Sequence, residues 1–430
     1  TAVLREAVTP DGTPLLLLDC AELYARPGNP YLDAKGHNWN DNNIRFGLLS
    51  HVAALLGSTA NPLAWQPQIV HCNDWQTALA PVFLHYLHTA PPRAKTLVTI
   101  HNLAFQGLFA PASLGELGLP PQAWAMNGVE FHDQLSFLKG GFQHADWVTP
   151  VSPADAREIC SDAEGLGMGL AGLLRWREMQ LTGILNGIDE TVWNPASDPH
   201  LTTAYDADNL SGKALDKTAL QRRCGLAERD DLPLFGVVSR LTEQKGLDLL
   251  IPIAAQLAAL PAQLVVLGSG ADKLEQAFRN LAAQYPGQFS MHIGFDEAFA
   301  HQIEASADIF LMPSRFEPCG LNQMYSLRYG TPPLVRNTGG LADTVIDCNK
   351  VTLANGTANG FVFDDATPEA LLGTIRRAVT AWHDKALWHT LQRNGMVLDF
   401  SWSNAATAYR AIYAKISLKK KTARTTHPAV

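Results

Sequence analysis

The segment S-R-F-E-P-C-G-L, residues 314–321, follows the apolar run I-F-L-M-P and precedes a helical pattern over 322–329. Glu317 therefore falls at the carboxyl end of a strand. Cys319, Gly320 and Leu321 fall at the start of the next helix, where free N–H groups and the helix dipole suit an anion such as phosphate. Gly320 lets a backbone approach a ligand closely. In isolation Glu317 would read as a turn cap. V-V-S-R-L-T-E-Q-K-G, residues 237–246, puts Arg240 and Lys245 in a second loop after a strand. In a solvated loop such cations are unremarkable, but at a strand mouth two of them can neutralise a leaving diphosphate.

Weaker signals accompany these two. T-I-H-N-L-A-F-Q-G (99–107) ends a strand on His101, with Asn102, Phe105 and Gln106 as a polar and aromatic mix suited to a sugar. H-C-N-D-W-Q (71–76) sets Asp74 beside Trp75, a carboxylate and an indole that can bond and stack on a sugar ring, although the indole is equally at home in a core. L-N-G-I-D (185–189) precedes W-N-P and contains a turn dipeptide. Two glycine pairs, in R-N-T-G-G-L-A-D-T-V (336–345) and L-G-S-G (267–270), resemble phosphate loops faintly. Neither fits G-x-G-x-x-G or the Walker pattern, which disfavours a dehydrogenase or a P-loop enzyme.

The elements that must position these residues alternate. Apolar strands are expected at 67–72, 96–101 and 145–151, with helices opening near Trp75 and at Ser152-Pro153, a cap followed by a first-turn proline. The rhythm restarts with strands at 232–239, 263–268, 288–293, 309–313 and 331–336, and with helices near 246–260 and from Asp272. Such alternation predicts two α/β domains with parallel, doubly wound sheets whose ligands bind beyond the strands' carboxyl ends, in a cleft between the domains. The polar stretch 195–216 is where the boundary is expected. This gives domains over 1–195 and 196–400, followed by 401–430. In that last segment Trp402, Tyr409, Ile412 and Tyr413 recur at helical spacing as a packing helix directed back to the first domain, and Lys419–Lys421 with Arg424 read as a solvated tail.

A formal net charge of −8 argues against a nucleic-acid binder. Six cysteines without a C-x-x-C pair or zinc-ligand spacing read as reduced thiols of a cytosolic protein. No apolar run approaches the ~20 residues of a membrane span, and no signal-peptide pattern is present.

Taken together, and in order from P-G-N-P-Y (27–31) to D-F-S-W (399–402), these segments closely resemble the bacterial glycogen (starch) synthases. The resemblance implies a GT-B-type fold of two Rossmann-like domains. It also implies transfer of glucose from ADP-glucose to the non-reducing end of an α-1,4-glucan, with retention and without a required metal or other cofactor. By motif, Arg240 and Lys245 would bind the diphosphate. Glu317 would support positive charge at the anomeric carbon, and His101 would lie near the reacting centre. Asn186 would hold the donor glucose, Phe295 would stack on adenine where the family often has Tyr, and Cys319, Gly320, Leu321 and Asn322 would meet phosphate. Tyr31, Asp74, Trp75 and Asn102 would shape the acceptor site. Asn322 stands where Thr is frequent, a change that a backbone contact tolerates.

The family also begins with a strand and a K-x-G-G-L loop that meets the donor. No such segment precedes Thr1, so the first domain is expected to lack the start of its sheet. Three other readings remain: a retaining transferase with a small acceptor, a non-catalytic glucan-binding protein, and a nucleotide-sugar epimerase. The extended E-P-C-G-L form disfavours the first, as do Met324 and Tyr325 where a second acid would stand.

Overall fold

Five successive buried residues follow Lys95 in the strand Lys95–Ile100, the pattern of a strand covered on both faces. It is the centre of a three-stranded parallel sheet, between Ile69–Asn73 and Trp147–Pro150. The computed structural model describes residues 2–161 and 163–417, and the chain divides into two units. Described residues up to Pro150, within Ile159–Thr182 and over 409–417 form the first; Val151–Glu158 and Gly183–Ala408 form the second.

In the first unit, Phe83 from the helix Ala80–Tyr86 and Phe137 and Phe142 from the helix Phe137–His144 pack with Val98 and Ile100 as one core. The final helix, Trp402–Ser417, contributes Tyr413, whose hydroxyl lies 2.7 Å from His71 Nδ1; His71 Nε2 lies 2.7 Å from Thr99 Oγ1. Two antiparallel features were not anticipated. Val3–Val8 pairs with Pro14–Asp19 as a hairpin, and Leu108–Phe109, Gln134–Ser136 and Glu130–Phe131 form a small sheet. The hairpin was missed because its second strand, P-L-L-L-L-D, carries an apolar run in place of alternation.

The second unit holds a six-stranded parallel sheet in the order Phe289–Ile293, Gln263–Gly268, Leu234–Val238, Ile309–Met312, Pro333–Arg336, Phe361–Phe363. In chain order this is 3-2-1-4-5-6, the doubly wound arrangement, and the winding reverses between Leu234–Val238 and Ile309–Met312. Every strand expected here is present, most of them trimmed by one or two residues. The helix expected over 246–260 is not. Its place is taken by the 3₁₀ turn Leu247–Leu250 and the short helix Ala254–Ala258, preceded by the 3₁₀ turn Glu243–Lys245. Gly246 takes a left-handed φ of 64°, and Pro252 lacks the N–H that a continuous helix requires.

Residues 195–216, where composition suggested a boundary, lie within the second unit. Buried Tyr205 places its hydroxyl 3.0 Å from the Ala305 carbonyl and 2.8 Å from that of Tyr329. Lys213 Nζ donates to the Ala305 carbonyl at 2.6 Å and to Thr331 Oγ1 at 2.6 Å. The stretch is fastened by buried polar groups, not by an amphipathic face, so hydrophobic periodicity gave no sign of it. Among the described residues no helix is long and apolar enough to cross a membrane. Lys419–Lys421 and Arg424 lie outside the described residues.

Tyr205→Phe removes one buried hydroxyl from this fastening and is expected to cost about 1–2 kcal/mol, read from urea unfolding. An unchanged midpoint would show that the Tyr205 hydroxyl does not contribute to the second unit's stability.

Candidate active site

A cavity of ≈ 180 Å³ opens at the reversal point of the six-stranded sheet. One wall comes from the loop after Leu234–Val238, with Ser239, Arg240 and Lys245. The other comes from the loop after Ile309–Met312, with Ser314, Glu317 and Gly320 through Asn322. The two strongest sequence motifs therefore meet where a doubly wound sheet places its ligands.

Glu317 is 6% exposed. Its Oε2 accepts from Lys245 Nζ at 2.5 Å and from Ser314 Oγ at 3.0 Å. Arg240 is exposed, and its guanidinium has no partner among the described residues. The N–H groups of Gly320, Leu321 and Asn322 donate to no described residue, as expected at the start of the helix Asn322–Arg328. Asn322 Nδ2 donates to the Val238 carbonyl at 2.8 Å, so its side chain ties the two loops together. Arg315 makes a two-pronged pair with Asp248 at 2.6 and 2.7 Å, fixing the S-R-F-E loop to the 3₁₀ turn Leu247–Leu250. Ser314 and Arg315 lie inside the S-R-F-E-P-C-G-L motif with no role assigned from sequence; the fold gives them partners. Lys245 and Glu317 cancel in charge. Arg240 and the open amides therefore leave the cavity net positive, an arrangement that stabilises negative charge on a ligand.

Other residues of the second unit fall elsewhere. Cys319 is buried with Val151, Ile188 and Met324. Burial pushes its thiol up to about 12, opposed in part by the Asn186 backbone amide. It packs the loop from behind and does not line the cavity. Asn186 also lies outside the lining. Its segment is anchored by the Ile188 N–H on the Phe400 carbonyl at 2.8 Å and by Trp193, stacked 3.7 Å from both His301 and Tyr325. Phe295 projects from the unit, 83% exposed. Neither glycine pair offers open amides. The Gly270 N–H donates to Glu275 Oε1 at 3.0 Å, Gly339 to Glu158 and Gly340 to the Glu317 carbonyl.

The first unit gathers its sequence candidates at the carboxyl ends of its own parallel strands. His101 Nε2 lies 3.0 Å from Asn73 Oδ1, and desolvation holds the imidazole below its usual range. Asp74 adopts φ 59° and ψ −174°, a region that non-glycine residues rarely enter and that marks functional turns. Its carboxylate accepts from the Trp75 N–H at 2.9 Å, and burial pushes the group up to about 6. Trp75 is half-buried, with its ring 4.7 Å from Phe46 and 6.0 Å from both Phe109 and Phe137. Tyr31 is 42% exposed, 6.3 Å from the Trp75 ring, and its hydroxyl accepts from Gln76 Nε2 at 2.9 Å. Asn102 Oδ1 accepts from the Ala104 N–H at 3.0 Å, shaping the turn after His101.

Residues 2–176 match the family described as the starch synthase catalytic domain, and residues 222–393 match the glycosyl transferases group 1. The chain is 60% identical to a glycogen synthase of Dechloromonas aromatica over 93% of this chain and 81% of that one. The chain belongs to the glycogen synthase family. A glycogen synthase of Nitrosospira multiformis is 54% identical over 98% of this chain and 84% of its own length. Among solved structures, the catalytic domain of Arabidopsis thaliana starch synthase IV, bound to ADP and acarbose, aligns with a TM-score of 0.85 at 31% identity, over 97% of this chain and 88% of that one. A sucrose-phosphate synthase from Thermosynechococcus elongatus shares the fold at a TM-score of 0.58 and 18% identity. The two α/β units are thus those of a GT-B glycosyltransferase of the glycogen synthase family.

Asp74 supplies a pH-dependent test. Its folded carboxyl titrates at about 6 against 3.8 for the unperturbed group, so ionisation is penalised in the folded state. Stability from this group is lost as pH rises through that interval and regained as it falls. Asp74→Asn carries no charge, so melting temperatures should move in the variant's favour, relative to the parent, as pH rises from about 4 to about 7. Parallel curves would refute the assignment.

Proposed function

We propose that this chain transfers glucose from ADP-glucose to the non-reducing end of an α-1,4-glucan with retention of configuration, as a cytoplasmic glycogen synthase. The observation that carries the reading is the cavity at the sheet's reversal point, where unpartnered Arg240 stands with the Lys245–Glu317 pair and the open amides of residues 320–322. Glycogen synthase relatives, and ADP bound to the related starch synthase, support the donor and the acceptor class. Six free thiols suit the compartment.

The chemistry follows from the charges. The bond between the anomeric carbon and the diphosphate oxygen breaks, and negative charge accumulates on the diphosphate. Arg240, Lys245 and the amides stabilise that charge without a proton transfer. The sugar becomes cationic, and the Glu317 carboxylate, held by Lys245, supports it. A glucan hydroxyl attacks from the face that the diphosphate leaves. Its proton passes to the departing phosphate oxygen, so a separate protein base is unnecessary. On this reading Asn186 and Phe295 serve the donor, His101 serves the reacting centre, and Tyr31, Asp74, Trp75 and Asn102 serve the glucan.

Incorporation of labelled glucose from ADP-glucose into glycogen tests the reading, with UDP-glucose run in parallel. Glu317→Ala, folded, is expected to lose about 10²–10³-fold in transfer rate; near-normal transfer would remove Glu317 from the mechanism. Arg240→Ala and Lys245→Ala should each weaken donor use by about 10- to 100-fold, the loss of a hydrogen bond to a charged group. Unchanged dependence on ADP-glucose would contradict the diphosphate assignment. Retained glucan binding without transfer from either donor would favour a binding protein.

A further inference from the structure

The glycine pair at Gly339-Gly340 holds an anion, and that anion belongs to the protein. Glu158 Oε1 accepts the Gly339 N–H at 2.8 Å, and Oε2 accepts Thr338 Oγ1 at 3.0 Å. The next amide, Gly340, donates to the Glu317 carbonyl at 3.0 Å. The turn is pressed against the E-P-C backbone: a Cβ at 339 would collide with the Glu317 carbonyl, and one at 340 with that of Cys319. A reciprocal bond secures the arrangement. The Ala154 N–H, at the start of the helix Pro153–Cys160, donates to Asp343 Oδ2 at 2.7 Å, while Glu158 from that helix accepts at the start of the helix Gly339–Thr344. All of these residues belong to the second unit.

We propose that Glu158 is a positioning residue for glucosyl transfer. Its carboxylate holds the Thr338-Gly339 turn, that turn holds the Glu317 peptide, and the Glu317 side chain sits against Lys245 in the cavity. The inference rests on the glycosyl-transfer reading for its effect on rate, but not for its effect on geometry. Two buried donors, Thr338 and Gly339, lose their acceptor when Glu158 is shortened, and the turn then has reason to shift. A displacement of about 1 Å at a reacting group costs on the order of 10²-fold in rate. ADP binding draws on Arg240, Lys245 and the amides of residues 320–322, so it should change little. A glutamine preserves length and one acceptor oxygen, and the Thr338 hydroxyl can turn to accept from its amide.

The experiment compares the parent, Glu158→Ala, Glu158→Gln and Thr338→Val by initial rates over a range of ADP-glucose, by calorimetric ADP binding, and by crystal structure. The expected result for Glu158→Ala is a kcat lower by about 10- to 100-fold, an ADP Kd within about threefold of the parent, and a displaced Glu317 peptide. Glu158→Gln should restore kcat to within about threefold, and Thr338→Val should fall between. An unmoved Glu317 peptide, a kcat for Glu158→Ala within about twofold of the parent, or loss of ADP affinity in step with kcat would overturn the proposal. If Glu158→Ala does not fold, Thr338→Val decides alone: a lowered kcat at unchanged ADP affinity supports the proposal, and an unchanged kcat overturns it. If the parent transfers no glucose, the glycosyl-transfer reading falls, and the position of Glu317 in the variant structures still decides the role of Glu158.

Discussion

A carboxylate and an ammonium group 2.5 Å apart, at the carboxyl ends of two neighbouring parallel strands, hold the second unit's loops in register. Glu317 is almost wholly buried, and a buried carboxylate without a partner is costly. Lys245 and the Ser314 hydroxyl offset that cost. Removing either member of such a pair strands the other charge. The two come from different strand–helix repeats, so the pair exists only when the sheet has wound in both directions from Leu234–Val238. Arg315 on Asp248 and Asn322 on the Val238 carbonyl close the same two loops by independent bonds. The site is therefore preorganised by the protein's own contacts.

That pair also sets the electrostatics. Because its charges cancel, the cavity's attraction for an anion comes from Arg240 and from amides that the helix start cannot satisfy internally. An anion would find one cation, Arg240, without a partner among the described residues and a second, Lys245, held on a carboxylate. The first unit repeats the principle with different chemistry. There the strand ends present His101, held below its usual range by desolvation, and Asp74, whose strained backbone is held by its amide's bond to the Thr99 carbonyl at 2.8 Å. Burial disfavours the charged form of both groups.

One glycine pair and one helix start show how occupancy decides meaning. Gly339-Gly340 has the backbone freedom of a phosphate loop, yet its amides are spent on Glu158 and on the Glu317 carbonyl. Gly320 through Asn322 carry no comparable glycine signature, yet their amides remain open to the cavity. The difference lies in which side chains arrive from elsewhere in the unit.

Much of this was legible in the chain. The strand Gln263–Gly268 and the helix Asp272–Gln284 appear where apolar runs and periodicity put them, and Arg240, Lys245 and Glu317 were readable as strand-end residues. These features follow from local pattern, which a sequence carries directly. Other features depend on partners distant in sequence. The fastening of residues 195–216 by Tyr205 and Lys213, the packing of Cys319 behind its loop and the aromatic neighbours of Trp75 needed the fold to be seen. So did the broken helix after Gly246, where a left-handed residue and a proline outweighed an apolar pattern. The sequence by itself determined which groups could handle a diphosphate and a sugar, because charge and position in a strand–loop–helix repeat are local properties. Only the tertiary structure decided which of them are free to act, because a hydrogen-bonding group is available to a ligand only where no distant part of the chain has already satisfied it.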